Sequence, residues 1–122
     1  MYIVEIEKNT TSTLTLYDDD TNVRVGTLNF EFYDRFVHIN ETNIKDRFQG
    51  MGYGRIMFES FREYIIGLND PNIWYMQLTA AKGSKDFWSK MGFKHIYNNK
   101  QLMYKYVMVR NVRDEYFNLI GQ

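Results

Sequence analysis

A glycine-rich stretch at residues 47–54, Arg-Phe-Gln-Gly-Met-Gly-Tyr-Gly, is the segment whose residue types and spacing best predict chemistry. It lies between a predicted strand and a predicted helix. The first turn of a helix leaves backbone N–H groups without partners and carries a partial positive charge, so it attracts phosphate where no side chain blocks the approach. Gly50 and Gly52 remove that obstruction. The segment predicts a diphosphate on the amides of residues 49–53, although a tight turn without a ligand would use the same glycines.

Other chemistries are less compatible with the sequence. The stretch has no Gly-Lys-Ser/Thr ending, so it is not a P-loop, and the strand before it ends a meander where a dinucleotide fingerprint would open a parallel unit. The chain contains no cysteine, which excludes thiolate metal sites and a Cys nucleophile. His95 has no companion ligand at metal spacing, so no metal is predicted.

The elements that must position the glycine stretch follow from hydrophobic periodicity. Before it, apolar and polar residues alternate with a period of two, which indicates strands. After it, apolar residues recur at spacings of three and four from Tyr53, which predicts an amphipathic helix that stops near Gly67. The predicted strands are residues 2–7, 13–17, 23–32, 36–40, 73–78, 93–97 and 102–107.

Two further helices are expected. Ser84 is predicted to be the N-cap of a short helix that ends at Gly92, and a C-terminal helix is predicted from Arg110. The order of elements predicts an α/β (α+β) fold, with a mixed, mostly antiparallel sheet of about seven strands and two helices packed on it. A chain of 122 residues has room for one core, so residues 1–122 are expected to form a single domain.

Two motifs resemble the GNAT superfamily of N-acetyltransferases. Arg47-x-x-Gly50-x-Gly52 matches the superfamily signature Gln/Arg-x-x-Gly-x-Gly/Ala, and Gly54 lies where the superfamily favours a small residue. Residues 87–93, Phe-Trp-Ser-Lys-Met-Gly-Phe, are similar to its aromatic pair, polar spacer and Gly-Phe. Together the motifs are more specific than either alone, and the resemblance covers about residues 30–107.

The resemblance implies an acetyl-CoA-dependent N-acetyltransferase that moves the acetyl group directly to an amine, without an acyl-enzyme. It places the pyrophosphate on the loop amides and the pantetheine arm in a wedge between the strands around residues 40–42 and 76–78. A main-chain N–H near Glu41 or Thr42 would stabilise the oxyanion. The expected cofactor-binding residues are Asn40, Glu41, Thr42, Arg47, Phe48, Gln49, Gly50, Met51, Gly52, Tyr53, Gly54, Ser84 and Trp88.

The chain departs from the superfamily pattern at catalytic positions. At the position of Trp88 many relatives have a tyrosine, which protonates the departing thiolate. The indole N–H of a tryptophan cannot donate that proton. The candidate bases are Glu41, which is equally compatible with a solvated carboxylate, and His38, for which an ordinary strand histidine bonded to a neighbour is the favoured interpretation. Tyr97 is the candidate proton donor to sulfur, with Tyr75 and Tyr104 as alternatives, although most of the 10 tyrosines are expected to be packing residues. The alternative function is a catalytically inactive CoA-binding or protein-interaction module of the same fold.

The acceptor and the partners are less constrained. In the superfamily two helices usually follow the first strand and form part of the acceptor groove, but residues 8–22 are too few and too strand-like for them. The acceptor site would then be open or completed by another subunit, and we predict a homo-oligomer on this ground. The 15 basic and 15 acidic residues balance, so there is no strong nucleic-acid signal. No stretch approaches the roughly 20 apolar residues of a membrane span, and a cytoplasmic location is expected. The amine acceptor, a protein, small molecule or modified nucleic acid, stays open.

Overall fold

The elements follow the order expected from the sequence: four strands, a helix, a strand, a second helix and two strands. A computed structural model describes residues 2–8, 11–96 and 99–107. The strands are β1 (Tyr2–Glu7), β2 (Ser12–Asp18), β3 (Val23–Tyr33), β4 (Phe36–Ile44), β5 (Tyr75–Thr79), β6 (Lys94–Ile96) and β7 (Asn99–Tyr106). The helices are α1 (Tyr53–Gly67) and α2 (Lys85–Lys90), and a 3₁₀ turn, Asp46–Phe48, lies between β4 and α1.

The strands form one seven-stranded sheet in the order β1-β2-β3-β4-β5-β7-β6. The pairs β1–β2, β2–β3, β5–β7 and β6–β7 are antiparallel. The predicted α+β class and mostly antiparallel sheet are therefore confirmed. The chain divides into two compact units: unit 1 contains residues up to 31 and 39–68, and unit 2 contains residues 32–38 and those from 69 onward.

The core of unit 1 lies between one face of its strands and helix α1. Leu14, Leu28 and Phe30 are fully buried because alternate strand residues point to the same face. Phe61 of α1 meets Phe30 edge to face, with ring centroids 5.0 Å apart. Burying a side chain of this size contributes about 1.5–3 kcal/mol, so this layer holds α1 and the loop before it in place.

The opposite face of unit 1 is polar. Thr13 donates a hydrogen bond to Asn29 at 2.9 Å, and Thr11 donates to Glu31 at 3.1 Å. Residues 11–22 contain no helix. A face of hydroxyl, amide and carboxylate groups remains solvated at little cost, so it does not require a helical layer to cover it.

The core of unit 2 is built on β5, β7 and α2. Met76, Leu78 and Met103 are buried, and Leu78 lies opposite Met103 in the antiparallel register. Trp88 of α2 is 5% exposed, and its ring contacts Phe93 edge to face at 5.3 Å. The apolar run after Pro71 was therefore correctly predicted to be a buried strand, although β5 begins at Tyr75.

Several boundaries differ from those predicted. Strand β4 continues to Ile44, four residues beyond the predicted end. Gly67 is the last residue of α1 and does not take a left-handed conformation; Asn69, with φ 50°, does. The predicted capping role of Ser84 is wrong in one respect: Ser84 occupies the N-cap position, but its hydroxyl donates to the carbonyl of Ala81 at 2.7 Å and caps no helix amide.

Two predicted features lie outside the described residues, namely Tyr97 and the C-terminal helix from Arg110. Within residues 2–8, 11–96 and 99–107, neither helix has the length and apolar character that crossing a membrane requires.

Candidate functional site

The glycine loop enters α1 through two left-handed residues. Gly50 has φ 76° and Gly52 has φ 86°, a backbone region that side chains with a Cβ rarely adopt. A Cβ placed on either glycine would meet no atom within 4 Å. The glycines are therefore required by backbone conformation, and the space in front of both remains open.

The amides of this loop are free to bind a ligand. Gly52 is the N-cap of α1 and offers no side chain to the first turn, whose amides lack intrahelical acceptors. The amides of Gly50, Met51 and Gly52 donate no hydrogen bond to any other residue that the structure describes. The first turn of α1 also contains no acidic residue. A row of unpaired N–H groups at a helix N-terminus is the arrangement that attracts an anion.

The side chains beside the loop are occupied by contacts within it. Gln49 donates through Nε2 to the carbonyl of Ile44 at 3.0 Å and to the carboxylate of Asp46 at 3.2 Å. The Phe48 ring meets the Tyr53 ring edge to face at 5.5 Å. Both contacts stabilise the 3₁₀ turn, which the sequence did not predict.

Arg47 supplies positive charge next to the open amides. Its guanidinium carbon lies 4.7 Å from the centroid of the Phe48 ring, and the side chain is exposed. A cation on an aromatic face keeps most of its hydrogen-bonding capacity in water. Arg47 therefore adds to the attraction for phosphate without filling the loop.

The predicted catalytic side chains on β4 lie in different environments. His38 is half-buried, and its Nδ1 lies 3.3 Å from Nε2 of Gln77. Glu41 and Thr42 are exposed. Asn40 donates through Nδ2 to the carboxylate of Glu31 at 2.9 Å, so its side chain is held against β3.

The predicted cofactor residues of α2 differ in exposure. Ser84 is half-buried, whereas the indole of Trp88 is buried between Phe87, at 4.9 Å, and Phe93. Trp88 therefore packs as a core residue. The aromatic pair of the second motif has a structural purpose, since it fastens α2 to the segment that follows.

Sequence reasoning missed a group of residues around His38. Tyr33 stacks on Phe36, and Phe36 stacks on Tyr75, each pair at 5.1 Å with ring planes within 13° of parallel. Gln77 lies two residues beyond Tyr75 on β5. The resemblance already made β4 and β5 neighbours, but the periodicity of each strand gives no register between them, so the contact of His38 with Gln77 was not predicted.

The aspartates of the β2–β3 turn were also not predicted to cluster. The carboxylates of Asp18, Asp19 and Asp20 lie within 4.8 Å of one another. Asp18 accepts hydrogen bonds from the Asp20 amide and the Thr21 hydroxyl at 3.1 Å. These hydrogen bonds to Asp18 are typical of a turn in which an aspartate side chain accepts from nearby donors, and the turn accounts for the cluster.

Four strands lead into the open glycine loop at the start of α1, and three further strands complete the sheet. The structure is similar to that of GCN5 from Tetrahymena, with a TM-score of 0.69 and 19% identity, covering 83% of this chain and 71% of that one. It is also similar to a GNAT family acetyltransferase from Staphylococcus aureus Mu50, with a TM-score of 0.68 and 12% identity over 81% of this chain and 69% of that one.

A third similar structure is the KacTA–DNA complex, with a TM-score of 0.73 and 17% identity over 92% of this chain and 76% of that one. No family model matches the sequence, and no curated protein matches it. The chain has the GNAT fold, and the resemblance of its two motifs is confirmed at the level of the fold.

Proposed function

We propose that the protein is an acetyl-CoA-dependent N-acetyltransferase, formed by residues 1–122 as one domain, that transfers acetyl directly to an amine. One observation carries the proposal: Gly50 and Gly52 present unpaired amides to open space at the N-terminus of α1. The GNAT fold also supports the proposal. The superfamily signature that the sequence matches, Arg47-x-x-Gly50-x-Gly52, lies in this loop.

The loop fits a pyrophosphate on two counts. A Cβ would meet nothing at either glycine, so an anion can approach the backbone closely. The absence of an acidic residue from the first turn of α1, together with the exposed Arg47, favours negative charge there. The amides of Phe48 and Gln49 already donate to the carbonyls of Lys45, at 2.8 Å, and Asp46, at 3.2 Å, so the loop amides of residues 50–53 would hold the pyrophosphate. Ser84 and Trp88 remain proposed contacts of the cofactor.

Bound acetyl-CoA would supply a thioester whose carbonyl carbon an amine can attack. A backbone N–H at Glu41 or Thr42 would stabilise the oxyanion, since a preorganised donor costs no reorganisation during reaction. The exposed carboxylate of Glu41 is the proposed acceptor of the ammonium proton. His38 and Tyr97 remain the other proposed proton-transfer residues.

A second candidate function is a catalytically inactive CoA-binding or protein-interaction module. The buried indole of Trp88 favours it, because that position carries a proton-donating tyrosine in many GNAT enzymes and here is packed in the core. Met76, near the place of a glutamate in some relatives, is also fully buried and apolar.

Two measurements separate these functions. Acetyl-CoA at about 100 times its dissociation constant should raise the free energy of unfolding by roughly 2.7 kcal/mol, whereas pantetheine, which lacks the pyrophosphate, should have a much smaller effect. Release of free thiol with a panel of amines identifies the enzyme. Stabilisation without thiol release supports the inactive module, and no stabilisation by acetyl-CoA contradicts the enzyme.

We also propose that a second copy of the chain completes the acceptor side. Residues 11–22 form β2 and turns and supply no helix there. Light scattering at micromolar concentration should then report a dimer or larger species, and a monomer would contradict this part of the proposal.

A further inference from the structure

His38 and Gln77 form a side-chain pair within unit 2. His38 lies on β4 and Gln77 on β5, both are half-buried, and Nε2 of Gln77 lies 3.3 Å from Nδ1 of His38. The nitrogen of a glutamine side chain can donate a hydrogen bond but has no lone pair to accept one. For these two nitrogens to share a hydrogen bond, Nδ1 of His38 must be the acceptor, which requires the tautomer with the ring proton on Nε2.

The protonation of the imidazole follows from that contact. A neutral histidine carries one N–H, and the hydrogen bond made by one ring nitrogen decides which nitrogen holds the proton. We propose that Gln77 is a positioning residue that holds neutral His38 in the tautomer with its proton on Nε2, so that His38 presents a hydrogen-bond donor at Nε2.

The aromatic residues beside the pair restrict the plane of the ring. The Tyr33 ring meets the His38 ring edge to face, with centroids 6.5 Å apart and planes at 87°. Tyr33 is in turn the outer member of the stack with Phe36 and Tyr75. Because alternate residues of a strand share a face, this stack and the His38–Gln77 pair lie side by side on the sheet.

Strand β7 contributes to the same face. Tyr104 lies directly opposite Gln77 in the antiparallel register of β5 and β7. Gln77 is therefore flanked across the sheet by His38 on one side and by Tyr104 on the other. A side chain between two neighbours has fewer rotamers to choose from, which favours a constant orientation of its amide.

The consequence for acetyl transfer rests on the proposed function. In that reaction the ammonium loses one proton to a base, the neutral amine forms the C–N bond, the C–S bond breaks, and the second proton that the nitrogen loses is balanced by the one that the departing thiolate takes. Neutral His38 with its proton on Nε2 and with Nδ1 engaged by Gln77 has no ring nitrogen ready to receive the proton of the ammonium. The ammonium proton would pass to Glu41 or to water, and His38 would act as a hydrogen-bond donor in place of the base that the sequence predicted.

The tautomer can be read from the ring ¹⁵N chemical shifts of the full chain labelled at histidine. The chain has two histidines, and His95 is exposed, so His95 serves as an internal reference. A His38→Gln variant assigns the signals. At a pH where both rings are neutral, we expect Nδ1 of His38 to be unprotonated and its two ring shifts to lie further apart than those of His95.

Variants of Gln77 test whether this residue determines the tautomer of His38. In Gln77→Glu the carboxylate can only accept, so the proton should move to Nδ1 and the two ring shifts should exchange. In Gln77→Leu, which has no donor, the shifts of His38 should move towards those of His95. Neither variant should change the signals of His95.

The proposal is overturned if wild-type His38 carries its proton on Nδ1, if its shifts match those of His95, or if Gln77→Leu leaves them unchanged. The measurement needs no cofactor. A failure of the tautomer assignment is therefore distinct from a failure of acetyl-CoA to bind, which would instead contradict the proposed function.

Discussion

The backbone N–H of Lys45 donates a hydrogen bond to the carbonyl oxygen of Val25 at 2.9 Å. This contact fastens the end of β4, just before the glycine loop, to strand β3. Gly26, which follows Val25 on β3, is buried. A Cβ on Gly26 would lie 2.5 Å from the carbonyl oxygen of Asn43 and 2.6 Å from the Ile44 side chain. The close approach of β3 and β4 at this point positions the start of the loop.

Replacing Gly26 by alanine should destabilise the protein. The new methyl group would push against backbone, which cannot move aside as a flexible side chain does, and overpacking of this kind costs about 1–3 kcal/mol. Chemical denaturation monitored by tryptophan fluorescence measures the loss. We also expect weaker acetyl-CoA binding, since the strands that carry the loop would separate.

Gly67→Ala is the matched control. Gly67 is the last residue of α1, and a Cβ there would meet nothing within 4 Å. Alanine is favoured over glycine in a helix by about 0.5–1 kcal/mol, so this variant should be as stable as the wild type or more stable. Equal stability of the Gly26→Ala and Gly67→Ala variants would show that the β3–β4 approach is not tight.

Trp88→Ala should be among the most destabilising single changes in unit 2. The indole is 5% exposed and contacts two aromatic rings, so its removal leaves a cavity and costs about 3–5 kcal/mol. Phe87→Ala, at a half-buried position on the same helix, should cost less. Unfolding curves in guanidinium chloride give the loss of unfolding free energy for each variant. A larger loss for Phe87→Ala than for Trp88→Ala would contradict the packing described for Trp88.

Arg47→Ala should weaken acetyl-CoA binding by about tenfold, which corresponds to the 1.4 kcal/mol of one charge-assisted hydrogen bond to phosphate. The wild-type affinity should also fall more steeply with salt than that of the variant. Arg24→Ala, an exposed arginine on β3, is the control for loss of charge alone. If both substitutions weaken binding equally, Arg47 has no specific role at the loop.

The fold was largely predictable because its elements have simple periodicity. Alternation along β2 and β3 separates Leu14 and Phe30, which are buried, from Thr13 and Asn29, which are not. The start of α1 at Tyr53 was predicted correctly, since the helical spacing begins immediately after Gly52. Gly50 and Gly52 were predicted to leave the backbone accessible, whereas their left-handed conformation was not predicted.

The end of β4 and the side-chain contacts of His38 were not predictable from periodicity. Residues 41–43, Glu-Thr-Asn, are exposed and polar, so their periodicity gives no strand signal, yet β4 continues to Ile44. The contact between His38 and Gln77 joins residues 39 positions apart on different strands. Periodicity describes each strand by itself and carries no information on which strands are neighbours.

The central claim is that the bare amides at Gly50 and Gly52 hold the pyrophosphate of acetyl-CoA, and calorimetric titration of Gly50→Glu tests it most directly. The glutamate would place bulk and negative charge in the open space, so binding should be lost, whereas Gly67→Glu, with the same charge at the far end of α1, should bind like the wild type. Retained binding in a folded Gly50→Glu variant would contradict the account.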